Sequence, residues 1–183
     1  MSKPPRSLPP ETGRRTIGSN WKPVCRYCKQ NITNPRRSSF CDDSCVVEFM
    51  VRSDPKFARK YILDRDGGLC QACGLDVQMM KEVYDTSLYL AESEFEADLI
   101  RDRLLALGFH PKRAIYEIDH IVELQECVVS ADCSTATYNG VDIDVWAPSN
   151  LQALCLPCHL KKSKETNARM ALKAEEKDCK DPK

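Results

Sequence analysis

Four close cysteine pairs constrain this chain more than any other feature of its sequence: Cys25/Cys28, Cys41/Cys45, Cys70/Cys73 and Cys155/Cys158. Two thiolates from one short knuckle can occupy two corners of a tetrahedral zinc ion, so two knuckles complete a closed site. Disulfides are the competing reading, and they need an oxidising compartment. No apolar segment follows Met1-Ser2-Lys3-Pro4-Pro5. The expectation is therefore an intracellular protein that is not secreted, with two structural Zn2+ sites. Cys127, Cys133 and Cys179 are left over. Cys127 and Cys133 read as unpaired thiols, with a third metal or redox pair as the alternative.

The spacing Cys25-x2-Cys28-x12-Cys41-x3-Cys45 makes the first four one local unit over 21–53. So small a unit has little core of its own, and metal binding then supplies folding free energy. Cys45-Val-Val-Glu-Phe-Met-Val51 reads as a short amphipathic helix with the last ligand in its first turn. The Cys70/Cys73 knuckle has no neighbour. Its partner is the Cys155/Cys158 knuckle, with 81 residues between Cys73 and Cys155. That pairing closes 70–158 into one unit within a second domain, 54–173.

At 183 residues the chain suits one ordinary domain or two small ones. The formal net charge of +0 hides a pattern. Residues 1–60 carry 13 basic and 5 acidic side chains, residues 61–150 carry 6 and 17, and residues 151–183 carry 8 and 5. A basic start and a basic end can meet a polyanion through two faces. No apolar run is long enough to span a membrane. Residues 1–20, rich in Pro, Ser, Arg and Gly, read as a disordered basic arm, and 174–183 as a charged, frayed tail.

Ser53-Asp54-Pro55 signals a helix start, and the helix runs to about Asp66 before Gly67-Gly68. The pattern from Leu88 to Leu107 reads as one helix with Phe95, Leu99 and Leu107 on its apolar face. Its acidic residues, Glu92, Glu94, Glu96, Asp98 and Asp102, lack the fixed spacing of an oxygen-ligand loop and read as a solvated face. His110 reads as a surface turn residue. Residues 114–122 alternate and are read as a strand, as is Val141–Val145 after the Asn139-Gly140 turn. Ser149-Asn150 reads as the start of a helix, and another runs from about His159 to Lys173.

One stretch carries the chemistry. Asp119-His120 ends the apolar strand, Asn150 follows after a long connection, and His159 comes directly after Cys158. The pattern Asp119-His120-x29-Asn150-x8-His159, framed by Cys-x-x-Cys and Cys-x-x-Cys-His, resembles the HNH (ββα-metal) nuclease family. Over roughly 25–162 the longer pattern is similar to the C-terminal HNH region of SNF2-type annealing helicases. It runs from Cys25 through Phe40-Cys41 and Arg52-Ser53 to Asn150-Leu151-Gln152 and His159. The ATPase part of those helicases is not matched, since the chain contains no Gly-Lys-Ser/Thr phosphate loop.

The resemblance implies an α+β fold: a small zinc-stabilised ββα-metal, treble-clef-like nuclease domain preceded by a small four-cysteine zinc unit. It implies a metal-dependent endonuclease that hydrolyses DNA phosphodiester bonds, in the nucleus of a eukaryote or the cytoplasm of a bacterium or phage host. His120 is the expected general base, because an imidazole titrates near neutral pH. Asp119 and His159 are the expected ligands of Mg2+, Mn2+ or another divalent cation, which would neutralise charge on the reacting phosphate. Asp119 and His120 are neighbours, so a bend at the strand end is needed for both to serve one cleft. Asn150 either orients His120 or ligates the metal. A competing reading makes His159 a zinc ligand, but four cysteines already complete that site. Arg36, Arg37, Lys161, Lys162 and Lys164 are the candidate contacts to the DNA phosphate backbone. The alternative function is a non-catalytic zinc-built module that binds nucleic acid or DNA-processing protein partners in DNA repair.

Overall fold

The computed structural model describes residues 22–110, 114–129 and 136–180, with side chains of the last helix as far as Leu172. The expected basic arm, Cys133 and the Cys179 side chain lie outside those residues. Two compact units are present. One ends at Tyr61 and includes Trp146–Ser149, and the other comprises Ile62–Val145 and the chain from Asn150 onward.

The first unit is organised by its cysteines. Val24 and Asn31 bridge across the Cys25–Cys28 knuckle, and Lys29 turns it with a φ of 60°. Helix α1 (Asp43–Ser53) begins where Asp42 accepts the backbone N–H of Cys45 at 2.8 Å, so the cap and the last cysteine share one turn. Cys25, Ile32 and Cys45 form a small core against Tyr27 and Phe40. Cations cover its aromatic rim: the Arg26 guanidinium lies 4.4 Å from the Phe49 ring centre and that of Arg52 lies 5.0 Å from Tyr27. Helix α2 (Pro55–Arg65) follows.

The second unit repeats the knuckle. Leu69 and Asp76 bridge across Cys70–Cys73, and Gly74 turns it with a φ of 74°. Asp76 then caps α3 (Val77–Leu90), accepting from Met79 N at 2.7 Å, and Ser93 caps α4 (Glu94–Ala106). The single helix expected over 88–107 is thus two. The break at Ala91-Glu92-Ser93 has a local cause, because the Ser93 hydroxyl accepts the Glu96 N–H and the Glu96 carboxylate accepts the Glu92 N–H. The expected apolar face is also displaced. Ala97 and Leu104 are buried, whereas Phe95, Leu99 and Leu107 are exposed.

Strand β1 (Tyr116–His120) pairs antiparallel with β5 (Leu151–Cys155), in register from Tyr116 opposite Cys155 to His120 opposite Leu151. Helix α5 (Leu156–Lys180) leaves β5 without a loop. Between them β2 (Val128–Val129), β3 (Ala136–Tyr138) and β4 (Val141–Ile143) form a separate antiparallel sheet. Asn139 and Gly140, with φ of 50° and 80°, make the expected tight turn between β3 and β4.

Two further expectations change here. Residues 151–155 are a strand, not the first turns of a helix, and this strand pairs with β1. Leu-Gln-Ala-Leu-Cys has no local feature that selects a strand. Pairing with β1 buries Leu151, Ala153, Leu154 and Cys155, and that tertiary gain overrides helical propensity. Helix α5 also runs on to Lys180, past the expected end at Lys173. The core contains Leu63, Val77, Leu104, Phe109, Ile115, Tyr116, Leu154 and Leu156.

Candidate metal centre and its frame

The cysteines form two clusters, Cys25/Cys28/Cys41/Cys45 and Cys70/Cys73/Cys155/Cys158, each with its sulfurs within 4.8 Å of one another. The Sγ–Sγ distance is 3.5 Å between Cys28 and Cys41 and 3.8 Å between Cys73 and Cys155. Sulfurs at about 2.3 Å from one tetrahedral zinc lie about 3.8 Å apart, whereas a disulfide needs about 2.05 Å. Both clusters could therefore hold zinc.

Their electrostatics agree. Burial pushes the Cys25 thiol up, but backbone N–H groups of Cys28, Cys41 and Tyr27 outweigh it and bring the thiol down to about 7. Cys70 also reaches about 7, where N–H groups of Cys155, Ala72 and Cys73 outweigh burial. The neighbouring thiols move the other way. Cys41 is raised to about 11, first by its contact with Cys28 and then by burial, and burial with the contact from Cys25 raises Cys45 to about 12. One thiolate per cluster thus opposes ionisation of the rest, a conflict that a bound cation removes.

The second cluster does more than close a loop. Cys155 ends β5 and Cys158 lies in the first turn of α5, so the cluster fixes the angle between strand and helix. His159, next along α5, is thereby directed at β1. Its Nε2 lies 3.8 Å from Oδ1 of Asp119, which is 7% exposed. That distance is too long for a hydrogen bond, yet both atoms can reach one divalent cation at about 2.1 Å each. The Nδ1 of His159 is a buried nitrogen with no hydrogen-bond partner. A carboxylate oxygen facing an imidazole nitrogen fits a divalent cation.

Lys162, three residues beyond His159 and so on the same helix face, completes the cluster. Its ammonium contacts Oδ2 of Asp119 and the carbonyl of His120, and lies 3.1 Å from Oε1 of Glu123. Burial pushes the His120 imidazole below its usual value; Asp119 opposes the shift and Lys162 adds to it. Pairing of β1 with β5 is unbroken through His120, so alternation sends Asp119 and His120 to opposite faces of the strand.

Asn150 pins the loop that follows. Its backbone carbonyl accepts the Ile121 N–H at 2.7 Å and its Oδ1 accepts the Val122 N–H at 2.9 Å. Its Nδ2 donates to Val145 O at 3.1 Å and Val122 O at 3.4 Å. An amide used in this way orients the end of β1. The other candidates are dispersed. Arg37 is 2.7 Å from Asp43 in the first unit, Arg36 and Lys164 are exposed, and Lys161 lies 4.0 Å from Glu165 on the outer face of α5.

Three supporting residues escaped the sequence reading. Glu123 had no motif to mark it. Asp66 accepts the Ala153 N–H at 2.8 Å through Oδ2, and Arg65 donates to Leu151 O at 2.6 Å, so the pair caps the outer edge of β5. The partners lie 86 and 87 positions apart, and no local signal links them.

No family model matches the chain, and no solved structure matches it. Curated relatives do. The chain is 25% identical over 171 residues to the mouse protein described as DNA annealing helicase and endonuclease ZRANB3, covering 86% of this chain. The human protein of the same description is 24% identical over 174 residues, and the bovine one 23% over 159. The chain spans about 14% of the length of the mouse and human relatives. Among the described residues, no helix is long and apolar enough to cross a membrane.

Proposed function

We propose that this chain is a metal-dependent DNA endonuclease of the HNH type. The observation that carries the reading is the 3.8 Å approach of Asp119 Oδ1 and His159 Nε2 where a two-stranded ladder meets the helix that follows it. Strand, strand and helix in that order, with one zinc cluster at the strand–helix junction, is the frame a ββα-metal site needs. The mouse and human relatives are described as endonucleases as well as annealing helicases, which supports the reaction class.

Asp119 and His159 would hold the divalent cation, which supplies charge neutralisation at the scissile phosphate. His120 acts as the general base: burial keeps its imidazole neutral and able to take a proton from water. The role requires the end of β1, paired through His120 in this structure, to bend so that its ring joins Asp119 in one cleft. Asn150 holds the loop beyond His120 and so sets where that ring is presented. The two cysteine clusters hold structural zinc. DNA binds mainly through its phosphates, met by Arg36, Arg37, Lys161 and Lys164.

The test is cleavage of plasmid and branched DNA with Mg2+ or Mn2+. His120→Ala should lower the rate by about 10²–10⁴-fold, the usual contribution of a positioned base. Equal rates for both proteins remove His120 from the reaction. A second reading is a zinc-built nucleic-acid or protein-binding module without catalysis, and one observation favours it: the Lys162 ammonium already neutralises Asp119. It predicts DNA binding without cleavage in any divalent metal.

A further inference from the structure

The Asp119 carboxylate is shared between two partners. Oδ1 faces His159 Nε2 at 3.8 Å, and Oδ2 receives the ammonium of Lys162. Three oxygens converge on that ammonium: one from Asp119, one from the His120 carbonyl and Oε1 of Glu123. The Lys162 side chain is 23% exposed, whereas that of Lys161, its neighbour on α5, is 79% exposed. A lysine that greets a phosphate backbone extends into solvent, as Lys161 does. Lys162 is folded back into the site.

The charges decide what this does. Asp119 and Glu123 contribute two negative charges and Lys162 cancels one. A divalent cation on Oδ1 would meet a positive charge already seated on the other oxygen of the same carboxylate. Like charges a few ångströms apart repel, and each weakens the hold of the shared anion on the other.

We propose that Lys162 is a tethered cation that competes with the divalent metal for Asp119 and sets the metal's affinity, with Glu123 receiving the ammonium when the metal takes Asp119. The inference rests on Asp119 and His159 being the cation ligands. Lys162 is then a positioning residue. It holds the Asp119 carboxylate in place before the metal arrives and keeps that metal exchangeable.

The experiment is Mn2+ titration of the full, zinc-loaded chain, followed by calorimetry. Lys162→Met should bind Mn2+ about tenfold more tightly than wild type, because a repelling charge is gone. Lys162→Arg, which keeps the charge, should stay near wild type. Glu123→Gln provides an independent arm: it should weaken Mn2+ binding in the wild-type background and do so less in the Lys162→Met background. Mn2+ affinity unchanged or weakened in Lys162→Met overturns the competition, and so does an equal effect of Glu123→Gln in both backgrounds. Asp119→Asn separates the two levels. If it binds Mn2+ as wild type does, the cation site itself falls and the competition with it; if binding depends on Asp119 and ignores Lys162, only the competition falls.

Discussion

Asp66 and Ala153 are joined by a hydrogen bond of 2.8 Å across 87 positions of sequence, from the carboxylate after α2 to the backbone N–H in the middle of β5. Among the described residues only β1 pairs with β5, so the other edge of β5 depends on Asp66, on Arg65 and on the Gln71 N–H that donates to Ala153 O at 2.9 Å. Asp66→Ala leaves a buried strand N–H unsatisfied. The variant should lose about 1–3 kcal/mol of stability, read as a lower midpoint in denaturant unfolding. An unchanged midpoint would show that water replaces the carboxylate.

The two cysteine clusters should each bind one zinc. Metal analysis of the purified chain should find two zinc ions, and Cys70→Ser or Cys155→Ser should each reduce the content to one. Combining those two substitutions should add little, since either one opens the same site. A chelator should unfold the first unit, whose core is only Cys25, Ile32 and Cys45 with their aromatic cover, and circular dichroism would follow the loss.

Asn150 is the joint between β1 and the loop beyond it. Asn150→Ala removes the acceptor for Val122 N and the donors to Val122 O and Val145 O. Stability should fall by about 1–3 kcal/mol, and DNA cleavage should fall by more than stability accounts for. Asn150→Asp keeps the acceptor and loses the donors, so it should lie between wild type and Asn150→Ala. Cleavage by Asn150→Ala at the wild-type rate would remove the joint from the catalytic frame.

Binding to phosphate should show in salt dependence. Lys161 and Lys164 are exposed on α5 just beyond the site, while Lys162 is turned inward. Lys161→Ala and Lys164→Ala should each weaken DNA binding alike across sequences and reduce the slope of log affinity against log salt by about 1. Fluorescence anisotropy at several salt concentrations measures this. A slope that neither substitution changes would place the DNA on another face.

Much of the architecture was legible because it is written in local chemistry. Cysteine spacing identified both clusters, and Asn139-Gly140 marked its turn through the left-handed backbone those residues tolerate. Ser53-Asp54-Pro55 marked the start of α2. The failures were places where local and tertiary preferences diverge. Leu88 to Leu107 kept a helical period across a break made by Ser93 and Glu96. Leu151–Cys155 has no strand signature and becomes a strand only against β1.

The same division runs through the site. Cysteine spacing places eight thiols in two sets of four, and the order of Asp119, His120, Asn150 and His159 supplies the candidates for the proposed site before any fold is known. Thiolate pairs and a short acid–imidazole motif act over a few residues, so their order survives in the linear chain. Folding in three dimensions is what turns Asp119 to His159, draws Lys162 inward to Asp119 and Glu123, and sets Asp66 on the edge of β5. Those relationships join residues 39 to 87 positions apart, and the antiparallel pairing of β1 with β5 and the angle of α5 bring them together.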